Sequence, residues 1–409
     1  MRILVIGAAG GMASGTIRDL LSTRSRHVES IVAADMEESR LGNLQAGLGD
    51  PRVQILILDV RDGGALRRAL ADADVCINAV PTFAGHQMAI FQACLETRRT
   101  YVDYGGMGSF TVQQKGHHAE WQAAGVSAVL GLGSDPGISN MLCKAVADRL
   151  ERIDRINLYW AAKKFGPDSP VLVPPYNINT VLAEYANPSM QFFGGGLTEV
   201  PPQFGQETLE LPDPWGRTEF MCTQHSEPLT VPFSKGIAEK GIREFTWKLH
   251  LPAREHEAWV ALVKSGFGEF NDPIVVNGVD VLPGDFLGIL IRRNIARHAA
   301  RIPETKSFEI TLAIGEGQRN GQPCTVNCAR LGAPNDLYAG YVDAATSMGL
   351  SIGLQLLGDT PAKPGVWAPE EVFEPAAFFM ELERREFRIV HGLPVKRFLP
   401  GVAALTADG

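Results

Sequence analysis

Three sets of residues in this sequence have types and spacings suited to chemistry. Gly7, Gly10 and Gly11, with Met12 behind them, follow the apolar run "ILVIG" and precede "GTIRDLL", whose apolar residues recur at helical intervals. A strand-to-helix turn built from small residues lets backbone N–H groups and the helix dipole face an anion, so a pyrophosphate is the natural ligand. Asp35 closes a second strand-like run, "SIVAAD", 28 residues after Gly7, where a carboxylate accepts hydrogen bonds from an adenosine ribose. The glycine pattern is G-x-x-G-x-x-A, one residue longer than the usual fingerprint, so Asp35 carries much of the inference. An acid there repels a 2′-phosphate and Met36 adds no positive charge, which favours NAD; Arg40 nearby leaves NADP possible.

The second set lies at the ends of later strand-like runs. "VQILILDV" ends at Asp59 and Val60, "DVCINAV" at Asn78, Ala79, Val80 and then Pro81, and "TYVDYGG" contains Asp103. In an open α/β sheet ligands lie beyond the carboxyl ends of the strands, so these residues should line one crevice with the glycine turn. The third set could move protons. Asp135 in "GSDPG" follows a strand, and Pro136 and Gly137 then open a helix, so a helix N-cap is its simplest structural role. His225 and His250 titrate near neutrality and can carry protons.

Alternating strands and helices must position these residues. Over residues 1–133 they predict a doubly wound parallel sheet of Rossmann type. From 134 to 334 the runs "RINLYWA", "REFTWKLHL" and "SFEITLAIGE" predict an open sheet in an inserted α/β substrate-binding and dimerisation domain, and 335–409 should return to complete the first domain. A chain of 409 residues exceeds the size of one hydrophobic core, in keeping with two domains.

Composition excludes other classes. The net charge is −8 and the basic residues are scattered, so nucleic acid is not an expected partner. The first apolar run is too short for an export signal or a membrane span, and the six cysteines sit mostly in apolar runs without paired spacing. Cys324 and Cys328 have no companion ligands to complete a zinc site, so no metal is expected. A soluble cytoplasmic protein is the expectation. Charge-dense pieces such as "IRRNIARHAARIPE" and "ELERREFRI" read as solvated helix faces.

The segments "DVCINAVPTFAGHQMAIFQACLE", "YVDYGG", "GLGSDPGISNML" and "GVWAPEEVFEPAAFFMELERREFRI" resemble the saccharopine dehydrogenase family, closest in layout to its lysine 6-dehydrogenase branch. The resemblance implies an NAD(P)-dependent oxidoreductase acting on the C–N bond of an amino acid or amine, by oxidation to an imine or by reductive amination. It implies a homodimer and a small-molecule substrate. It places Asp135 on the substrate amine and a polar loop at "TQHSEPLTVPFSKG", which makes His225 the leading proton carrier. A substrate carboxylate demands a cation, for which Lys235, Arg243, Lys248 and Arg254 are candidates, with His250 beside them. The returning helix would be "DAATSMGLSIGLQLL", from which Thr346 and Ser347 could reach the nicotinamide or the substrate. At "WKLHLPAREHEAW" the residue types depart from lysine dehydrogenases, which puts lysine itself in doubt. Two alternatives compete: a C–N-forming synthase of saccharopine or carboxynorspermidine type, and a non-catalytic dinucleotide-binding redox sensor.

Overall fold

Each short β-branched run of the first third is a strand, and all but the exposed edge strand at Val53–Ile57 are largely buried. In the computed structural model, which describes residues 1–398 apart from Met107 and Ser109, six such strands lie parallel. They are β1 (Arg2–Ile6), β2 (Ser30–Asp35), β3 (Val53–Ile57), β4 (Val75–Asn78), β5 (Thr100–Asp103) and β6 (Ser127–Val129). The sheet order is β6-β5-β4-β1-β2-β3, with strand Gly365–Trp367 added in parallel beside β6. The chain moves outward from β1 in one direction and then from β4 in the other. The reversal between β1 and β4 opens a crevice at their carboxyl ends, where doubly wound sheets bind ligands.

A second, mixed sheet contains ten strands among the described residues. These are β7 (Arg152–Phe165), β8 (Ser189–Phe193), β9 (Gly196–Val200), β10 (Glu207–Glu210), β11 (Arg217–Cys222), β12 (Glu244–His250), β15 (Lys306–Arg319), β16 (Gln322–Gly332), β18 (Arg388–His391) and β19 (Lys396–Phe398). The hairpin β13 (Ile274–Val276) and β14 (Val279–Val281) stands apart from it, and Gly365–Trp367 is β17. Side chains alternate along the central strands. Leu158, Trp160, Phe245 and Trp247 join the large core shared with the helices, whereas Tyr159, Ala161 and Phe220 pack in a separate cluster on the opposite face.

The two sheets are joined by the helix Ile138–Ala147, buried along nearly its whole length, and by the returning helix Ala344–Asp359, which lies on the helix Gly11–Leu21. Close approach is built in at Gly349, where an added Cβ would stand 2.1 Å from the Gly133 carbonyl oxygen. The tail does not all return as expected. Ala344–Asp359 and β17 serve the first sheet, but β18 pairs with β16 and β19 with β10 in the second. Residues 399–409, also assigned to that return, lie outside the described residues.

A correction concerns "ELERREFRI". Arg385 is fully buried, donating from Nε to Asp19 Oδ2 at 2.9 Å and from Nη1 to Glu381 Oε2 at 2.8 Å. Arg26 adds a second cation to Glu381 at 2.9 Å. The stretch therefore ties the returning segment to the helix that follows the glycine turn. The six cysteines are free, and no helix among the described residues is long and apolar enough to cross a membrane.

Candidate active site

The glycine turn lies at the crevice as its spacing predicted. Gly7 has φ +80°, and a Cβ there would stand 2.9 Å from the backbone C and O of Ala79, so the first turn and the end of β4 are in backbone contact. Gly10 caps the helix Gly11–Leu21 without a side-chain partner, leaving the first N–H groups free, with Met12 in the first turn. Asp35 lies beside this turn, accepting from Ala9 N at 3.1 Å and Glu37 N at 3.2 Å, and Arg40 donates to Ala9 O at 2.8 Å. Ala79, Val80 and Pro81 continue along the crevice from β4, and Val60 is half-buried beyond β3.

Three of the strand-end residues are occupied elsewhere. Asn78 donates to Tyr101 Oη at 3.0 Å and accepts from Val80 N at 3.1 Å, so it shapes its own loop. Asp103 accepts from Gly105 N at 2.9 Å and Gly131 N at 2.8 Å, binding two neighbouring loops together, and burial raises its pKa. Asp59 forms a bidentate ion pair with Arg61, whose hydrogen bonds hold its carboxyl down to about 2. These polar ends brace the crevice loops, as Asp35 does its own turn.

Asp135 does not cap a helix. Gly137 takes that position, its N–H bonded to Asn140 Oδ1 at 2.8 Å. Asp135 Oδ2 accepts from Ser134 Oγ at 2.9 Å, while Oδ1 is shut from solvent and has no partner. Burial, aided by the charge of Glu227 and opposed by Arg330 and His225, pushes this carboxyl up to about 7. A screened carboxyl that titrates near neutrality is suited to act as an acid or a base.

His225 lies in the same charge cluster, on the loop after β11. Its ring stacks on Trp247 at 4.0 Å, and its Nδ1 is hydrogen-bonded to the fully buried Glu227. Burial alone would lower the His225 pKa, but Glu227, Glu184 and Asp135 together raise it. Glu184, on the helix Ile178–Ala186, accepts a hydrogen bond from Tyr176 Oη and is pushed by burial up to about 7. Trp247 is itself fixed, donating from Nε1 to Thr223 Oγ1 at 3.0 Å.

The loop is pinned to the first turn of the helix Ile138–Ala147. Ser139 donates to Glu227 at 2.6 Å, and Asn140 donates to Glu370 at 2.7 Å, which also receives Ser234 Oγ at 2.8 Å. Asp135 and His225 are thereby carried on one hydrogen-bonded frame. Among the described residues, no group of three or more His, Cys, Asp or Glu is arranged to hold a metal ion.

The expected cations lie elsewhere. Lys235 and Arg243 are exposed, and Arg254 pairs with the exposed Asp168. Lys248 pairs with Glu207 at 2.5 Å, and His250 is bonded through Nδ1 to Glu219 O at 2.8 Å; burial lowers the pKa of His250. Both occupy the face of β12 opposite Trp247. Thr346 stands beside Gly133, but its hydroxyl donates at 2.7 Å to Asp343, the residue that caps the returning helix. Besides His225, the cation whose charge reaches Asp135 is Arg330 on β16. Arg330 is buried, holds Glu309 loosely at 3.3 Å, and has an Nε without a partner. Glu184, Glu227, Tyr176, Trp247 and Arg330 were not anticipated from the sequence.

Residues 3–129 match the family described as the saccharopine dehydrogenase NADP-binding domain. Two solved structures share the fold across both sheets. One is saccharopine dehydrogenase (L-Glu forming) from Saccharomyces cerevisiae, 15% identical, with a TM-score of 0.69 over 97% of this chain and 100% of that one. The other is homospermidine synthase from Legionella pneumophila in complex with NAD, 10% identical, with a TM-score of 0.66 over 96% of this chain and 91% of that one.

Proposed function

We propose that this chain, whose residues 3–129 match the saccharopine dehydrogenase NADP-binding domain, is an NAD(P)-dependent oxidoreductase of the C–N bond in an amine or amino acid. The observation that carries this reading is Asp135, whose screened Oδ1 lacks a donor that a bound ammonium would supply. A bound nicotinamide coenzyme would supply the hydride acceptor or donor. Its diphosphate fits the free N–H groups after Gly10 and Gly11, and its ribose the carboxylate of Asp35, which favours NAD over NADP.

In the oxidative direction Asp135 takes a proton from the substrate ammonium, freeing the nitrogen lone pair. The adjacent carbon loses its hydride and the lone pair forms the C=N bond. Water then adds to that carbon, with His225 removing its proton and Glu227 stabilising the imidazolium. The C–N bond breaks, the amine leaves with a proton, and a carbonyl remains. Arg330 takes the part first given to Lys235 and Arg243, the partner of a substrate carboxylate. Reversal gives reductive amination.

One observation favours the synthase alternative. Glu227 is hydrogen-bonded to His225 above the Trp247 indole and the charges of Glu184 and Asp135 reach the same ring, an environment suited to a second cationic amine. The deciding experiment follows the absorbance of reduced coenzyme with NAD and NADP, using single amines, diamines and amine plus keto-acid pairs in both directions. Turnover with a single amine supports the dehydrogenase, and turnover only with pairs supports the synthase. Coenzyme binding without turnover on any substrate would leave the redox sensor.

The cradle has its own test. Gly7→Ala places a methyl group against the Ala79 backbone at a positive φ, so coenzyme affinity should fall at least about tenfold. Gly10→Ala, whose Cβ meets only Gly7 O at 3.1 Å, should fall less. Equal affinities in a fluorescence titration would remove the turn from the binding site.

A further inference from the structure

A cavity of about 250 Å³ lies on the face of the second sheet turned away from Trp247. Strand register sets its floor. β7 and β12 run parallel with Arg155 beside Glu244 and Asn157 beside Thr246, and these side chains line the cavity together with Lys248 and Cys222. Ile156, Leu158, Phe245 and Trp247, which alternate with them, belong to the core on the opposite face. The sheet itself therefore separates this cavity from the face that carries His225. Phe193, Phe204 and Phe398 form an apolar wall, the first two with ring centroids 6.4 Å apart.

The polar groups around the cavity are unevenly satisfied. Glu207 receives Lys248 at 2.5 Å and Arg397 at 2.6 Å, and Glu316 receives Arg155 Nη2 at 2.5 Å and Arg397 at 2.7 Å. Glu316 thus draws Arg155 to one side, away from Glu244 on the other. Among the described residues Glu244 has no ion pair and no side-chain hydrogen bond, and Arg155 Nη1 and Nε donate to nothing. Asn157 is only 2% exposed, and its Oδ1 accepts from Thr246 at 3.1 Å while its Nδ2 has no acceptor. A buried amide donor calls for a partner inside the cavity.

The unmet groups are a carboxylate and a set of N–H donors on neighbouring strands, which run about 4.8 Å apart. A simple anion would meet Glu207 and Glu244 as like charges, and a simple amine would leave Arg155 and Asn157 unanswered. A zwitterion bearing both charges on one carbon answers both, with its third substituent toward the phenylalanines. The volume lies below the ~300–1,000 Å³ of sites for drug-sized ligands, which fits a small metabolite. We propose that this cavity binds a free α-amino acid with an apolar side chain. Its carboxylate meets Asn157 Nδ2 and Arg155 Nη1, its ammonium meets Glu244, and its side chain packs among Phe193, Phe204 and Phe398. The site does not rest on the reaction assigned above, since none of its residues belongs to the frame that carries Asp135 and His225.

Titration calorimetry on the full chain without coenzyme tests it. L-Phenylalanine should bind, and phenylpropanoate, phenethylamine and glycine, which lack the ammonium, the carboxylate and the side chain in turn, should each bind at least about tenfold more weakly. Glu244→Gln should weaken L-phenylalanine at least about tenfold yet leave phenylpropanoate within about twofold, a split that a loosened fold does not produce. Phe204→Ala should weaken both ligands alike. Both variants should keep the wild-type coenzyme affinity, and Asp135→Asn should keep the wild-type affinity for L-phenylalanine. No heat with L-phenylalanine, L-leucine or L-methionine, or an affinity for them unchanged by Glu244→Gln, would overturn the proposal. Binding lost in Asp135→Asn but kept in Glu244→Gln would put the amino acid in the crevice, which overturns this site and leaves the proposed reaction standing.

Discussion

Asp135→Asn loses between about 10² and 10⁴ of kcat/KM, the range ordinarily lost with a positioned acid or base. The substitution keeps the shape of the side chain and its contact with Ser134, so substrate and coenzyme binding should change far less than turnover. The pH profile separates proton transfer from simple packing. A carboxyl pushed up to about 7 becomes a base only above that value, so oxidative kcat/KM in the wild type rises through neutrality and then levels. The asparagine variant has no such limb. His225 and Glu184 share the charge cluster, so the wild-type limb belongs to the group as a whole, and its loss in the variant is the decisive reading.

Stability should move the opposite way. Because the folded state raises the Asp135 pKa, it holds that proton more tightly than the unfolded chain does. That stabilisation is complete below the ordinary carboxyl value near 4 and is lost as pH rises through about 7. Asparagine carries no ionisation cost. The variant should therefore melt higher than the wild type at pH about 8, with the difference shrinking toward pH about 5. Calorimetry showing the same melting difference at both pH values, together with unchanged kcat/KM, would remove Asp135 from the chemistry.

The parallel sheet was legible because each strand is a short β-branched run and each turn carries glycine or a polar end. The second sheet was legible only at its long central strands. The sequence pattern placed β7, β12 and β15, but not the eleven-residue β16, whose run is broken by polar and small residues, nor the shorter strands. Asp135 and His225 are expected from position and resemblance, and in the structure each feels the other's charge. Glu184 was missed although "VLAEYA" holds a signal: a single carboxylate inside an apolar helical run is costly to bury without a purpose. Arg330, alone in "VNCARLG", carries the same signal. His250 could have been excluded from the same sequence, since Trp247 is three residues earlier on a strand and an odd separation puts the two on opposite faces. Asp59, Asn78 and Asp103 show the converse. Polar residues at strand ends also supply the acceptors that loops packed this closely need, which their position in the sequence does not show.

Arg385→Ala should cost about 3–5 kcal/mol of stability, the usual penalty for removing one partner from a buried ion pair. Arg385 is fully buried between Asp19 and Glu381, which are nearly as deep. Without it, Asp19 keeps the Ser351 hydroxyl at 2.5 Å and a distant Arg24 at 3.8 Å, while Glu381 keeps Arg26 at 2.9 Å. The uncompensated charge is therefore mainly Asp19, on the helix that begins at the glycine turn. Loss of Arg385 should loosen the returning segment from that helix and lower coenzyme affinity at a distance, without touching any group in the crevice. The double variant Asp19→Leu/Arg385→Met removes both charges in similar volume and should recover more than half of the loss, because desolvating the pair offsets much of its attraction. Urea unfolding of the three proteins decides the matter: a single-variant cost under about 1 kcal/mol, comparable to a surface pair, would show that burial adds nothing to this contact.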